Sequence, residues 1–207
     1  MKLWGDFYDL LMPDLPGCPA AAADSALRQS SIAFCEQSLA WQTEHQPVFV
    51  MMGIAEYAFS PPAGTVVHAI THAALDGEKI ESFAGEKNIT IRNWRRQIGK
   101  PLYVLGGPSS LTLVPTPDSN GVLAITVALK PSATSTGIDG ALFQEYREAI
   151  IHGSMARLML SPKKPYTDIQ LAAYHQQQFI IKTAAAGVRV AKSYARAPLQ
   201  TAILKRG

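Results

Sequence analysis

Hydrophobic residues at heptad spacing predict a long helix near the start of the chain. Leu27, Phe34 and Trp41 recur at every seventh position, which places them on one face of a helix. The opposite face carries alanine, serine and glutamine, whose side chains let another helix approach closely. Pro19 suits the first helical position, where a missing N–H costs nothing. The pattern therefore predicts a helix from about Pro19 to Trp41.

Two further helices are predicted in the last third of the chain. Apolar and small residues recur at spacings of three and four from about Ile138 to Leu160, and Gly153 among them indicates a close helix–helix contact. The stretch SPKKP then interrupts the pattern. A long helix is predicted to begin after Asp168, whose side chain can cap it, and to run to about Tyr194.

Short apolar runs between residues 47 and 131 predict strands rather than helices. The runs are VFVMM, TVVHAITHAAL, PLYVL, LTLVP and VLAITVALK, and proline, glycine and threonine separate them. Asp76-Gly77 and Asn120-Gly121 are each typical of a two-residue hairpin turn, and LGGPSS is interpreted as a turn between strands. The segment EKNITIRNWRRQIGK predicts one strand and a loop. Strands at this spacing indicate a small β-sandwich or meander.

The predicted fold class is α+β, with a β domain inserted into a helical one. Residues 1–46 and 132–195 are expected to form a three-helix-type bundle, and residues 47–131 a small antiparallel β-sandwich or meander. Residues 196–207 follow the last predicted helix and are expected to form an extended C-terminal arm.

Charge is scarce and unevenly distributed. Charged residues make up 17% of the 207 residues, which is low and favours burial of surface against partners. The net charge of +3 is too small to indicate DNA binding by bulk charge, yet residues 169–207 contain no aspartate or glutamate. Cys18 and Cys35 are expected to stay unpaired, as in a reducing cytoplasm. Asp6 and Asp9 argue against a signal peptide, and no apolar run is long enough to cross a membrane.

The sequence predicts neither an enzyme nor a metal or cofactor site. It has no phosphate-binding loop and no G-x-S-x-G motif, and its carboxylates are scattered among predicted turns. His68 and His72 form H-x3-H, but on a strand they lie about 13 Å apart, too far for one zinc ion. We therefore expect no catalytic, metal or cofactor-binding residues.

Two basic segments are candidates for binding. Arg92, Arg95 and Arg96 surround Trp94, a pattern that fits stacking on single-stranded nucleic acid, a basic surface facing DNA, or a solvated loop anchored by the tryptophan. The C-terminal arm combines apolar and basic residues that belong to no evident core, so we expect it to dock on a neighbouring protein. Its candidate docking residues are Arg196, Pro198, Leu199, Ile203, Leu204, Lys205 and Arg206.

The motifs and their order resemble those of tailed-bacteriophage head-to-tail adaptor proteins, also called connector or neck proteins. The resemblance rests first on DLPGCP followed by ALRQSSIAFCEQSLAW. It continues through LDGEKI, PLYVLGG and LTLVPTPDSNGVLAITVALKPS. It ends with the two helical segments from ALFQEYREAI to AAAGVRVA and covers nearly the whole chain.

The resemblance implies a structural protein of the virion neck, made in the cytoplasm of the bacterial host. Such proteins form rings, typically dodecameric, between the portal protein and the tail tube or nozzle protein, and DNA passes through the channel without sequence-specific binding. The resemblance further implies that the C-terminal arm docks on the portal, that the β side faces the tail, and that no membrane is involved. Two alternatives stay open: another tail-completion or tail-tube-proximal protein, or a nucleic-acid-binding module.

Overall fold

Helices lie at the two ends of the chain and strands lie between them. The computed structural model describes residues 1–83, 94–107 and 110–192. The helices are α1 (Tyr8–Leu11), α2 (Ala20–Ser38), α3 (Gly140–Met159) and α4 (Ile169–Ala191). Short 3-10 helices flank α1 on both sides and connect it towards α2. The predicted α+β class is confirmed.

α2 ends earlier than its hydrophobic pattern predicts. Leu39 has a φ of 53°, so the backbone leaves the helical conformation directly after Ser38. Leu27 and Phe34 are fully buried, as expected of the apolar face. The prediction that Trp41 continues this helical stripe was wrong. Trp41 lies beyond the helix and packs against both apolar cores of the chain, which explains why it is hydrophobic.

An aspartate caps the start of α3 and the start of α4, and the cap of α4 by Asp168 confirms the prediction. The Asp139 carboxylate accepts hydrogen bonds from the backbone N–H groups of Ala141 and Leu142. The Asp168 carboxylate accepts one from Leu171 at 2.9 Å. Both bonds satisfy donors that a helix leaves free in its first turn, so both helices begin within about two residues of their predicted positions. The predicted end of α4 at Tyr194 lies outside the described residues.

α2, α3 and α4 pack together around one apolar core. The small residues of α2 face the other helices of the same chain, since Ala23, Ala26 and Ser30 are buried. A Cβ atom on Gly153 would lie 2.8 Å from a ring carbon of Phe179 and 3.1 Å from the Cβ of Ser30. The predicted close contact at Gly153 is therefore confirmed, and it joins all three helices.

Two sheets enclose a second apolar core. The strands of the described residues are β1 (Lys2–Leu3), β2 (Gln42–Glu44), β3 (Val48–Val50), β4 (Glu56–Ala58), β5 (Thr65–Leu75), β6 (Glu78–Lys79), β7 (Glu81–Phe83), β8 (Ile98–Gly99), β9 (Tyr103–Gly106), β10 (Ser110–Val114), β11 (Thr116–Pro117), β12 (Gly121–Pro131) and β13 (Gly137–Ile138). In the first sheet the strands lie in the order β2, β12, β5, β6, with β3 also paired to β12. In the second the order is β4, β10, β9, β7. Among these strands pairing is antiparallel except for the short pairs β7–β9 and β8–β11.

The two turns predicted from Asp-Gly and Asn-Gly behave differently. Asp76 and Gly77 have φ of 50° and 83°, as a tight hairpin turn between β5 and β6 requires. The hairpin prediction for Asn120-Gly121 was wrong, because β10 and β12 belong to different sheets. The Asn120 side chain instead accepts a hydrogen bond from the backbone N–H of Met52.

The helices are tied to the strands through side chains that reach backbone carbonyls. Arg28 on α2 donates to the carbonyls of Ser135 and Ala133, and the Trp4 indole N–H also donates to Ser135. Lys130 on β12 forms an ion pair with Glu36 on α2. These contacts fix the chain as it returns from the sheets to the helices. The division into domains at residues 46/47 and 131/132 stays a prediction.

Candidate assembly surfaces

One long surface of the bundle is apolar although it is exposed. The buried positions of α4 recur every third or fourth residue, at Ala172, Phe179 and Ala186 among others, and face α2 and α3. The opposite side exposes Ile169 to 72% and Ile180 to 53%. We call this side the α4 outer face. Its residues are Ile169, Gln170, Ala173, Tyr174, Gln177, Ile180, Ile181, Ala184 and Val188.

The charges of α4 lie beside α3 rather than on the α4 outer face. The Lys182 ammonium lies 2.7 Å from the Glu148 carboxylate, and the Arg189 guanidinium lies 3.5 Å from the Glu145 carboxylate. Both acidic partners are on α3. Because these are the charged residues of α4, its outer face carries no charge from Ile169 to Ala191.

A second exposed apolar surface lies at one end of the sheets. We call it the apolar tip, and it consists of Phe49, Met51, Met52 and Ile54. Phe49 is 76% exposed and Met52 is 67% exposed. Exposed apolar clusters of this kind mark surfaces that contact other proteins. Methionine suits such a surface because its flexible side chain adapts to the shape of a partner.

Hydrogen bonds hold the backbone of the apolar tip in place. The Tyr57 hydroxyl donates to the Ile54 carbonyl at 2.6 Å and accepts from the Met51 N–H at 3.0 Å. Gly53, whose φ is +80°, donates its N–H to the Pro117 carbonyl at 2.8 Å. The apolar side chains are thus presented on an ordered backbone, which reduces the entropy that a partner must remove on binding.

The predicted basic residues are only partly placed. Trp94, Arg95 and Arg96 form a short 3-10 helix in which both arginines are exposed. The Arg95 guanidinium lies 4.8 Å from the centre of the Trp94 ring, so it covers one face of the aromatic. Arg92 lies outside the described residues.

The candidate docking residues of the C-terminal arm also lie outside the described residues. They are Arg196, Pro198, Leu199, Ile203, Leu204, Lys205 and Arg206.

The described residues contain no group of three or more side chains suited to hold a metal ion. His68 and His72 are exposed on β5. Cys35 is fully buried, and burial raises the pKa of its thiol to about 12, which keeps it protonated and unreactive. In the same ranges, no helix is both long enough and apolar enough to span a membrane.

A pair of histidines joins α3 and α4. The Nδ1 atoms of His152 and His175 lie 2.7 Å apart, so one ring donates a proton and the other accepts it. Burial lowers the pKa of both imidazoles. The charges of His175 and Lys182 lower the pKa of His152 further and Glu148 opposes them, while Asp14 opposes the shift at His175. The pair acts as a neutral clamp between the helices.

Sequence reasoning missed the α4 outer face and the apolar tip. The apolar run VFVMM predicts a strand, but only Val48–Val50 pairs in a sheet. A continuous apolar run in a sheet with one face in water is itself a signal, because such a strand needs alternating polar residues. On α4 the corresponding signal is that apolar residues lie on more than one side of the helix, as Phe179, Ile180 and Ile181 do.

One comparison identifies relatives of the chain. A family model described as SU10 adaptor protein matches residues 5–202, which includes the helices and all of the strands between them. A comparison with curated proteins finds no match.

Proposed function

The chain belongs to the SU10 adaptor protein family, a phage head-to-tail adaptor family, and on this basis we propose that it forms a ring between the portal and the tail. It is a structural adaptor protein of a phage. In the proposal, several copies surround a channel through which DNA passes, with twelve copies as the expected number for such rings. We expect no catalytic activity.

The family match carries this proposal, because it covers both the helices and the strands. The α4 outer face and the apolar tip support it. Soluble monomers rarely leave large contiguous apolar surfaces in water, so exposed surfaces of this kind fit a protein that is covered by partners in its assembled state.

We assign the partners by position along the chain. The C-terminal arm, from Arg196 to Gly207, is proposed to dock on the portal protein, because it joins apolar Leu199, Ile203 and Leu204 to a basic end. The apolar tip is proposed to face the tail tube or nozzle protein. Arg92, Arg95 and Arg96 are proposed to face the DNA channel, where positive charge attracts the phosphate backbone without reading its sequence.

Negative-stain electron microscopy of the chain mixed with the portal protein of the same virus tests the proposal. We expect a ring on the portal with the full chain and no ring with a chain cut after Ala195. Two full-length variants separate the apolar from the charged contribution to docking. In one, Leu199, Ile203 and Leu204 are changed to serine, and in the other Lys205 and Arg206 are changed to serine. We expect the first variant to form no ring on the portal and the second to form fewer rings than the wild type, at low salt only.

Two results would count against parts of the proposal. A ring that persists after truncation would remove the arm as the docking element and keep the adaptor. A chain that forms no ring but binds DNA, with an affinity that falls steeply as salt rises, would favour the nucleic-acid-binding module instead.

A further inference from the structure

We infer that the α4 outer face is the side-by-side contact with a second copy of this chain in the assembled ring. The inference rests on the proposed function and adds to it the surface and the partner. It concerns a different surface from the C-terminal arm and from the apolar tip, which are proposed to meet other proteins.

The length of the surface favours a neighbouring copy. α4 has 23 residues and at a rise of 1.5 Å per residue extends over about 34 Å. It packs against α3 from the ion pair of Arg189 with Glu145 to the hydrogen bond from the Asp168 N–H to the Met159 carbonyl. Its exposed apolar residues extend from Ile169 to Val188. A neighbour that stands side by side in a ring contacts a subunit along its height, whereas a partner above or below covers one end. The apolar tip is a compact surface and fits an end-on partner.

The charges of the bundle favour the same surface. On α3 the exposed positions carry charge, as at Glu145, Glu148 and Arg157. Burying these groups more deeply against a neighbour would add to their cost of desolvation. The α4 outer face carries no charged residue, so it has no such cost. The next copy can therefore cover the α4 outer face without desolvating a charge on α4.

The available area explains why this contact suits a ring. Half of a cylinder about 11 Å wide and 34 Å long presents about 600 Å². A stable pair of proteins needs about 800 Å² from each partner. The α4 outer face alone therefore gives a weak pair in solution. In a closed ring the α4 outer face of each subunit meets a different surface of the next copy, so every subunit has two neighbours, and the portal holds the subunits at high effective concentration.

Cysteine labelling of the ring on the portal, without tail protein, tests the inference. In a Cys18→Ser background, Ile169→Cys, Ile180→Cys and Val188→Cys place thiols along the α4 outer face, and Met52→Cys on the apolar tip is the control. We expect a maleimide to label all four in the free subunit. In the ring we expect the three α4 thiols to lose their labelling and Met52→Cys to keep it.

Labelling of all three α4 thiols in an intact ring would overturn the inference and leave the adaptor function standing. Protection at one end of α4 only would overturn it as well, since that pattern indicates an end-on partner. If no ring forms, the proposed function fails, and sedimentation of the free chain at rising concentration decides the inference. In that case we expect the wild type and Met52→Glu to self-associate and Ile180→Glu to stay monomeric. Identical sedimentation of the wild type and the two variants would overturn the inference.

Discussion

α3 and α4 lie side by side and have 20 and 23 residues, yet they differ in what they expose. α3 contacts both α2 and α4, and its exposed residues are mainly charged. α4 is buried along one side, and its other side is apolar. When a helix is apolar on two sides and its own chain covers only one of them, the other side indicates a contact surface for a partner. The difference shows that hydrophobicity in the sequence and burial within the subunit are separate properties.

We expect the largest difference in stability when the same substitution, isoleucine to alanine, is made in α3 and in α4. Ile150 on α3 is fully buried and Ile180 on α4 is half exposed. Ile150→Ala removes packed methyl groups and leaves a cavity, so we expect it to lower the free energy of unfolding by about 2–5 kcal/mol. We expect Ile180→Ala to change it by no more than about 0.5 kcal/mol. Urea unfolding followed by circular dichroism measures both, and equal losses would show that α4 is covered within the subunit.

A second pair of variants tests how closely the helices approach. In Gly153→Ala the new Cβ atom would lie 2.8 Å from the Phe179 ring. In Gly187→Ala the new Cβ atom would lie 3.7 Å from Ser38, which is an ordinary contact. We expect Gly153→Ala to destabilise the chain by about 1–2 kcal/mol despite its better helix propensity. Gly187→Ala is expected to be neutral or stabilising by up to about 1 kcal/mol. Thermal unfolding compares the two, and a stabilising Gly153→Ala would contradict the close packing of α2, α3 and α4.

The smallest expected effect concerns pH and the histidines between α3 and α4. The pKa values of His152 and His175 are lowered in the folded chain, so the folded state disfavours their protonation. Their contribution to stability is therefore complete above the unfolded pKa of about 6.5 and is lost as pH falls from there through the folded pKa values.

Comparing variants isolates this contribution from other titrating groups. We expect the difference in Tm between pH 7.5 and pH 5.5 to shrink in His152→Gln/His175→Gln. The same substitutions at His68 and His72, which are exposed on β5, serve as the control. A difference in Tm that is the same in the wild type and in the His152/His175 variant would show that the clamp does not titrate in this range.

The sequence predicted the parts of the fold that local rules determine. Asp168 caps α4 because a carboxylate before an apolar repeat satisfies free N–H groups, and Asp76-Gly77 turns because both residues tolerate positive φ. Trp41 and Asn120 were misassigned because their positions depend on contacts with distant residues. Trp41 packs between two cores that meet only after folding, and Asn120 binds Met52 across the chain.

The candidate surfaces were less predictable than the fold. A hydrophobic residue in a sequence indicates burial but not whether its own chain or another covers it. Ile180 and Phe179 are neighbours with similar hydrophobicity, and only the rotation of α4 against α3 shows that one is exposed and the other buried. The residues of the C-terminal arm are apolar and basic, and their docking role stays a prediction.

Cryo-electron microscopy of the ring on its portal would show directly which surface of α4 the next copy covers. We expect a ring in which α4 lies between neighbouring subunits, with Ile169, Ile180 and Val188 covered by the next copy, and in which the apolar tip points away from the portal. A ring in which α4 faces solvent or the channel along its whole length would show that another surface joins the subunits.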